Sequence, residues 1–188
     1  MVDVQNDFCP GGSLAVPDGD AVVAPLNHMV DFARKNGWSI FASRDWHPAI
    51  TTHFAQYGGK WPVHCVQNTH GAEFHPNLDV KDATILSKGM YDGQDGYSAM
   101  WGACLIKQDA LVNIVESKTT FYIGGLATDY CVKATALDAK YLGFNVVFLA
   151  DACRAVNINP GDGTSALQEM KSAGVVITMT DEVINDKT

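Results

Sequence analysis

Short apolar segments recur along the chain and alternate with longer amphipathic ones. The apolar segments show little polar alternation, which is typical of strands buried on both faces of a parallel sheet. They predict six strands: Val2–Val4, Trp38–Ser43, Thr84–Ser87, Thr120–Gly124, Asn145–Ala150 and Val175–Thr178. Apolar residues at helical spacing predict four helices: Asp20–Lys35, Leu105–Val115, Asp129–Leu142 and Thr164–Ala173. This order favours an α/β fold, a doubly wound and mostly parallel six-stranded sheet with helices on both faces.

The segment from Asp45 to Asp82 shows neither the apolar pattern of a strand nor that of a helix, and it is rich in His, Pro and Gly. A loop of that length in a compact domain is usually functional. In open α/β sheets, binding sites lie beyond the carboxyl ends of the strands. The sequence therefore predicts a reactive site at this edge. The chemically active residues that follow the predicted strands are Asp3 or Asp7, Asp45, His47, Lys88, Cys131 and Asp151.

Length and composition narrow the class of protein. The chain has 188 residues, which fits one domain spanning 1–188. A net charge of −8 argues against a nucleic-acid partner, because phosphate binding requires clustered Lys and Arg. No apolar run approaches the roughly 18–20 residues of a membrane span, and the acidic start lacks the basic region of a signal peptide. We therefore expect a cytoplasmic protein without a nucleic-acid or membrane partner.

The cysteines indicate reactive chemistry. Five cysteines without a Cys-x-x-Cys pair indicate free thiols in a reducing compartment. Cys131 lies near the start of a predicted helix, where backbone N–H groups and the helix dipole stabilise a thiolate. A nearby Lys88 would lower its pKa further, and Asp3 could accept the thiol proton. The alternative interpretations are a buried structural thiol for Cys131, a solvated surface lysine for Lys88 and a turn residue for Asp3.

The histidines indicate a metal site. Asp45 and His47 lie two residues apart, so in an extended segment both side chains point to the same side. Five of the six histidines lie between positions 47 and 75, among them His53 and His64. A carboxylate with two or three imidazoles suits Zn²⁺ or Fe²⁺ and leaves positions open for water or substrate. Hydrogen-bonded loop histidines are the alternative, and Cys65 is another candidate ligand.

Several motifs together resemble the nicotinamidases of the isochorismatase-like cysteine hydrolase family. Their order and spacing agree across most of the chain. The matching stretches are Val2–Phe8 with Pro10–Val16, Ser43–Pro48, Trp61–Cys65, Lys88-Gly89 and Gly124–Ala136. The resemblance implies a hydrolase that converts nicotinamide to nicotinate and ammonia in NAD salvage. Another amidase of the same family, or a binding domain that has lost catalysis, remains the alternative.

The resemblance also implies catalytic roles for individual residues. The family's Asp, Lys and Cys triad falls on Asp3, Lys88 and Cys131, the set reached independently from the strand ends. The backbone N–H groups of Ala127 and Cys131 correspond to the oxyanion hole. A cis peptide bond is expected between Leu126 and Ala127.

Further roles concern the metal and the substrate. The resemblance places the metal ligands at Asp45, His47 and His64, while His53 stands where some members have a fourth ligand and others a serine. The ion would be Zn²⁺ or Fe²⁺, with Mn²⁺ as a third candidate. Aromatic residues that enclose the pyridine ring correspond to Phe8 and Trp61, with Tyr97 as a further pocket wall. Pyrazinamide is a second candidate substrate, and a homo-oligomer remains open.

The start of the chain departs from the family pattern. Family members carry several apolar residues before the segment that matches Val2–Phe8, and these complete a central strand. Here Met1 directly precedes that segment. The first strand, and the support for Asp3, are therefore expected to be short. A truncated reading of the gene and a natural shortening are both open.

Overall fold

Seven strands and five α-helices are present in the part of the chain that the structure describes, residues 1–104 and 106–186 of a computed structural model. The strands are β1 Phe41–Asp45, β2 Thr84–Lys88, β3 Ala103–Cys104, β4 Asp109–Ala110, β5 Thr120–Leu126, β6 Asn145–Arg154 and β7 Val176–Thr178. The helices are α1 Val23–Lys35, α2 Leu111–Ile114, α3 Lys133–Tyr141, α4 Asp162–Ser172 and α5 Thr180–Asn185.

The central sheet is parallel and is joined at its middle by one residue. β1 pairs with β2, and β5, β6 and β7 pair in that order. Val2 lies between these groups and forms parallel bridges to Ser43 of β1 and Gly125 of β5. Its N–H donates to the Gly124 carbonyl and its carbonyl accepts from the Leu126 N–H, both at 2.8 Å. The parallel order is therefore β2, β1, Val2, β5, β6, β7, and β3 and β4 add antiparallel at the β2 edge.

Helices cover both faces of the sheet. Successive strand residues point to opposite faces, so β6 contributes to two apolar clusters. On one face, Leu149 and Ala152 belong to a cluster with Leu26 and Met29 of α1 and Val183 of α5. The other cluster contains Val146, Phe148, Ala136 and Ala139 of α3, and Met170 of α4. Two-sided burial explains why the strands read as continuous apolar runs.

The predicted fold class is confirmed, but the predicted strand count of six is wrong. Two short strands, β3 and β4, were not predicted, and the predicted strand Val2–Val4 is reduced to the bridge at Val2. Asp3 adopts a left-handed backbone with φ of 49°. That conformation turns the chain out of the extended path, so strand pairing ends after Val2.

The predicted helix Leu105–Val115 is also wrong over most of its length. Leu105 lies outside the described residues, and Gln108 has a positive φ of 55° that a helix does not allow. Ala110 then pairs antiparallel with Ala103. The Asp109 carboxylate accepts from the Ala110 N–H at 2.8 Å, a local bond that favours a turn over a helix. Only α2 remains helical.

The other predicted elements are present with shifted ends. β1 begins and ends later than predicted, β5 and β6 run further, and α5 was not predicted. The predicted helix Asp129–Leu142 consists of a π-helical turn, Thr128–Val132, followed by α3. After β1 ends, the predicted loop Asp45–Asp82 contains two 3₁₀ turns and isolated β-bridges, among them His47 with Val66 and Phe54 with Trp61. None of the described helices is long and apolar enough to cross a membrane.

A groove separates the amino ends of β1 and β5, on the edge opposite the predicted reactive site. Its volume is about 650 Å³, and its lining includes Trp38, Phe41, Phe121 and Ile123. Met1 closes one end, where its amino group donates to the Phe41 carbonyl at 2.7 Å. Between β1 and β5, backbone pairing therefore begins at Met1, and the groove separates the amino ends of the two strands.

Candidate active site

Three predicted catalytic side chains meet at the carboxyl ends of the central strands. Asp3 follows the Val2 bridge, Lys88 ends β2, and Cys131 lies in the π-helical turn after β5. The Lys88 ammonium nitrogen lies 2.8 Å from Asp3 Oδ2 and 3.8 Å from Cys131 Sγ. The Asp3 carboxylate and the Cys131 sulfur lie within 4.8 Å of each other. All three residues are buried, so their interactions are weakly screened.

Asp3 is held by β1. Its N–H donates to the Ser43 carbonyl at 3.1 Å, and the Ser43 hydroxyl donates to Asp3 Oδ1 at 2.7 Å. These bonds leave Oδ2 facing Lys88 and the thiol. The sequence analysis did not single out Ser43. The available signal was its position two residues before Asp45, because such residues point to the same side of a strand.

Burial controls the protonation of this group. Burial raises the pKa of Asp3, against the ion pair with Lys88. Burial alone would lower the pKa of Lys88, but Asp3 and Asp45 raise it well above its usual value. Burial likewise raises the pKa of Cys131; Lys88 opposes this effect, and the carboxylates of Asp3 and Asp45 add to it. The expected lowering of the Cys131 pKa is therefore wrong, and the resting sulfur is a thiol that needs an adjacent base.

A second buried cluster contains three imidazoles that expose the same ring nitrogen. Each imidazole has its Nδ1 against a carbonyl or carboxylate oxygen, and such oxygens only accept hydrogen bonds. Nδ1 therefore carries the proton, and the lone pair is on Nε2. The three contacts are His47 with the Gly89 carbonyl at 3.1 Å, His53 with Asp95 Oδ1 at 2.7 Å, and His64 with the Pro62 carbonyl at 2.8 Å.

This cluster fits a divalent metal ion. One ring nitrogen from each of the three histidines lies within 4.8 Å of the others. Asp45 Oδ2 lies 3.8 Å from His47 Nε2 and 4.0 Å from His64 Nε2. His47 Nε2 is buried without a hydrogen-bond partner, which a bound ion would supply. One carboxylate with three imidazoles is a donor set for Zn²⁺ or Fe²⁺.

The protonation states suit this donor set. Burial lowers the pKa of His64 to about 4, despite the opposing charge of Asp45, so the imidazole is neutral near pH 7. Burial also lowers the pKa of His53. Burial alone would raise the pKa of Asp45, but neighbouring groups, the Lys88 ammonium foremost, hold that pKa below its usual value. Lys88 also donates to Asp45 Oδ1, so this carboxylate touches both clusters.

A cavity of about 40 Å³ lies between the thiol and the histidines. The predicted substrate-contacting residues Phe8, Trp61 and Tyr97 all line it. The Trp61 indole N–H donates to the Tyr97 hydroxyl at 2.8 Å, and the Trp61 ring meets Tyr130 edge-on with centroids 4.8 Å apart. The cavity is therefore lined by several aromatic rings, which suits a small planar ring as its occupant. The Leu126–Ala127 peptide bond at its edge is cis, as expected.

A family comparison identifies the type of domain. A model of the isochorismatase domain matches residues 1–182. The chain belongs to the isochorismatase family. The expected resemblance to nicotinamidases of this family, and the expectation of a hydrolase acting on an amide bond, are confirmed by the relatives below.

Curated and solved relatives of this isochorismatase-family chain agree along most of its length. The nicotinamidase of Escherichia coli is 40% identical over 195 residues, covering 94% of this chain and 92% of that protein. The pyrazinamidase of Pyrococcus horikoshii, solved in complex with zinc, superposes with a TM-score of 0.84 and 45% sequence identity. The match covers 95% of this chain and 96% of that one. A protein of L. infantum, solved in complex with nicotinate, superposes with a TM-score of 0.83 and 32% sequence identity. The match covers 96% of this chain and 91% of that one.

Three other sequence candidates lie outside the histidine cluster of this isochorismatase-family domain. Asp7, the alternative acid, accepts from the Cys65 N–H at 2.7 Å and thus anchors the loop. Cys65 has its sulfur 4.0 Å from a backbone carbonyl and is not grouped with the imidazoles. His70 is exposed beside Glu73. Sequence analysis missed Tyr130, although its position next to Cys131 was a usable signal.

Proposed function

We propose that this protein hydrolyses nicotinamide to nicotinate and ammonia in NAD salvage, through a thioester on Cys131 and with a divalent metal ion beside it. One observation carries the proposal. A single aromatic-walled cavity is lined both by Cys131 and by the candidate metal ligands Asp45, His53 and His64. Such a cavity matches a flat ring with a carboxamide on one side and a ring nitrogen on the other. The nicotinamidase relatives support this substrate.

The first chemical step is transfer of the thiol proton. Asp3 Oδ2 accepts the proton from Cys131 Sγ, and Lys88, which contacts both groups, stabilises the negative charge as it passes from the carboxylate to the sulfur. The thiolate then attacks the carboxamide carbon. The backbone N–H groups of Ala127 and Cys131 stabilise the oxyanion of the tetrahedral intermediate.

The second half of the reaction releases the products. Asp3 returns its proton to the amide nitrogen, the C–N bond breaks, and ammonia leaves a thioester on Cys131. A water molecule, deprotonated by Asp3, attacks the thioester carbon. The C–S bond breaks, the thiol is regenerated, and nicotinate leaves. Asp3 thus serves as base and acid in turn, for which its raised pKa is suited.

The candidate metal ligands and the aromatic residues of the cavity would orient the substrate. The residues that would hold the ion are Asp45, His47, His53 and His64. When bound, the ion supplies a Lewis-acidic partner for the pyridine nitrogen. Phe8 and Trp61 hold the ring between them and exclude water, and this places the carboxamide against Cys131.

The decisive test is the Cys131→Ala variant, with Cys104→Ala as the matched control. Both cysteines are buried in the same apolar cluster, but of the two only Cys131 lines the cavity. Cys131→Ala should reduce ammonia release from nicotinamide by several orders of magnitude because the covalent nucleophile is lost. Cys104→Ala should keep most of the activity. A Cys131→Ala variant with more than a few per cent of wild-type turnover would refute the thioester mechanism.

A further inference from the structure

His53 differs from the other two histidines in the group that fixes its ring. His47 and His64 donate from Nδ1 to backbone carbonyls, whereas His53 donates to the side chain of Asp95 at 2.7 Å. The His53 side chain is 3% exposed and that of Asp95 is 62% exposed. Asp95 thus reaches in from the surface to a buried ring.

The backbone around Asp95 is anchored on both sides. Upstream, Asp92 Oδ1 accepts from the Thr52 N–H at 2.7 Å and from the Thr52 hydroxyl at 3.0 Å. Downstream, the Gly96 carbonyl accepts from Lys88 Nζ at 2.6 Å. Consecutive residues Thr52 and His53 therefore bind two carboxylates of one segment. The His53–Asp95 contact therefore differs from an isolated surface ion pair. An isolated pair adds little stability, because two otherwise free side chains must be ordered to form it.

We propose that Asp95 is a positioning residue for the metal site, an inference that rests on the proposed function. Its carboxylate holds the His53 Nδ1 proton, turns Nε2 toward Asp45, His47 and His64, and makes His53 a fourth protein ligand. A carboxylate that accepts from the distal nitrogen of a ligating imidazole fixes the ring and raises its basicity. Asp95 is the one of the three Nδ1 acceptors that a side-chain substitution removes.

The test is the zinc affinity of the wild type and of variants, measured by competition with a chelator. Asp95→Ala should weaken zinc binding roughly 10- to 100-fold, the usual effect of losing such a partner. Asp95→Asn should fall between, because the amide oxygen still accepts a hydrogen bond but carries no charge. Asp92→Ala is the matched control, since it releases the same segment from Thr52 but leaves the His53 contact, and it should stay within about threefold of wild type.

A double variant separates positioning from general loosening of the loop. If Asp95 acts through His53, then His53→Ala and His53→Ala/Asp95→Ala should bind zinc equally. The visible spectrum of the Co²⁺-loaded protein reports coordination directly and should change alike in Asp95→Ala and His53→Ala. Equal zinc affinity in Asp95→Ala and wild type overturns the inference. So does a loss in Asp92→Ala as large as that in Asp95→Ala, or a further loss in the double variant.

These outcomes are distinguishable from failure of the proposed function. A wild type that takes up no zinc overturns the metal site and the role of Asp95 together. A wild type that binds zinc while Asp95→Ala binds it equally well overturns only the role of Asp95. Zinc binding that depends on Asp95, in a protein that does not hydrolyse nicotinamide, supports the inference and refutes the proposed substrate.

Discussion

Gly89 lies so close to the ring of His47 that a side chain does not fit between them. A Cβ at this position would be 2.3 Å from His47 Cε1 and 2.6 Å from Nδ1, and the backbone has a φ of +60°. The Gly89 carbonyl also accepts the His47 Nδ1 proton. This residue therefore sets both the position and the tautomer of a candidate ligand, and glycine is required for steric reasons.

The Gly89→Ala variant should lose metal affinity and stability together. Gly93→Ala is the control, because its φ of +77° carries a similar backbone strain but nothing lies within 4 Å of the added carbon. Each alanine should cost about 1–2 kcal/mol for the left-handed backbone. Only Gly89→Ala should displace His47 and weaken zinc binding at least tenfold. Unfolding in urea and chelator competition measure the two effects, and equal zinc affinities in the two variants would contradict this role.

At the level of single residues, the sequence identified groups near strand ends but not their partners. Asp3, Lys88 and Cys131 were predicted because a parallel sheet brings such positions to one edge. Ser43 and Asp95 were missed because their contacts join segments that are distant along the chain. The pKa direction of Cys131 was wrong because the depth of burial is not visible in a local motif.

At the level of elements, the sheet is joined between β1 and β5 only by the Val2 bridges that stand in place of the predicted strand Val2–Val4. The groove of about 650 Å³ between the amino ends of β1 and β5 leaves room for more chain before Met1. Adding about five apolar residues before Val2 should raise stability, because they would pair with both strands. Each well-buried aliphatic side chain adds roughly 1.5–3 kcal/mol, less the entropy lost on ordering.

A Gly/Ser extension of equal length is the control for that variant. It offers backbone pairing but no apolar side chains, so it should stabilise less. Urea unfolding of the three chains measures the difference. An apolar extension that unfolds at the same urea concentration as the starting chain would show that the groove does not accept a strand.

The amino group of Met1 gives the same region a pH dependence. Burial lowers its pKa from 8.0 to about 6, against the opposing charge of Asp3. Below pH 6 both states are protonated and the folded state carries the whole cost of the buried charge, whereas above pH 8 both are neutral. Stability should therefore rise by about 2–3 kcal/mol between pH 6 and 8. Urea unfolding across that range should show the rise in the chain that begins with Met1 and a smaller one after Nα-acetylation; equal slopes would refute it.

Elements with a clear apolar pattern were mostly predicted well, and the two-residue strands were not. α1, α3 and β6 each bury one clear stripe or run, and the sequence located them to within a few residues. β3 and β4 have two residues each, so their pairing depends on the neighbouring chain and leaves no periodicity. The same limit applies to α5.

At the scale of the whole molecule, the proposed function requires the two buried clusters to act on one substrate. If the ion holds the pyridine nitrogen, benzamide, which lacks that nitrogen, should be a poorer substrate. One lost polar contact to a charged group is worth roughly 1.5–3 kcal/mol, or about 10- to 150-fold in kcat/KM. Protein stripped with a chelator should lose most activity on nicotinamide, and Zn²⁺, Fe²⁺ or Mn²⁺ should restore it.

The comparison of substrates also tests the rival amidase interpretation. Steady-state assays on both amides, with and without added metal, measure both effects. Full activity of the stripped protein on nicotinamide, or benzamide turned over equally well, would favour an amidase that does not use the ring nitrogen. Pyrazinamide retains a nitrogen at the corresponding ring position and should behave like nicotinamide.

The bridges at Val2, which join the two halves of the sheet, have a consequence for how the protein would lose activity on partial unfolding. Asp45 and Lys88 belong to the half that contains β1 and β2, and Cys131 follows β5 in the other half, with Asp3 directly beside the join. Parting of the two halves at this line would separate acid, lysine and thiol while β5, β6 and β7 stayed paired. Under the proposed mechanism, activity would therefore depend on this one set of backbone contacts and would be lost while most of the fold persists.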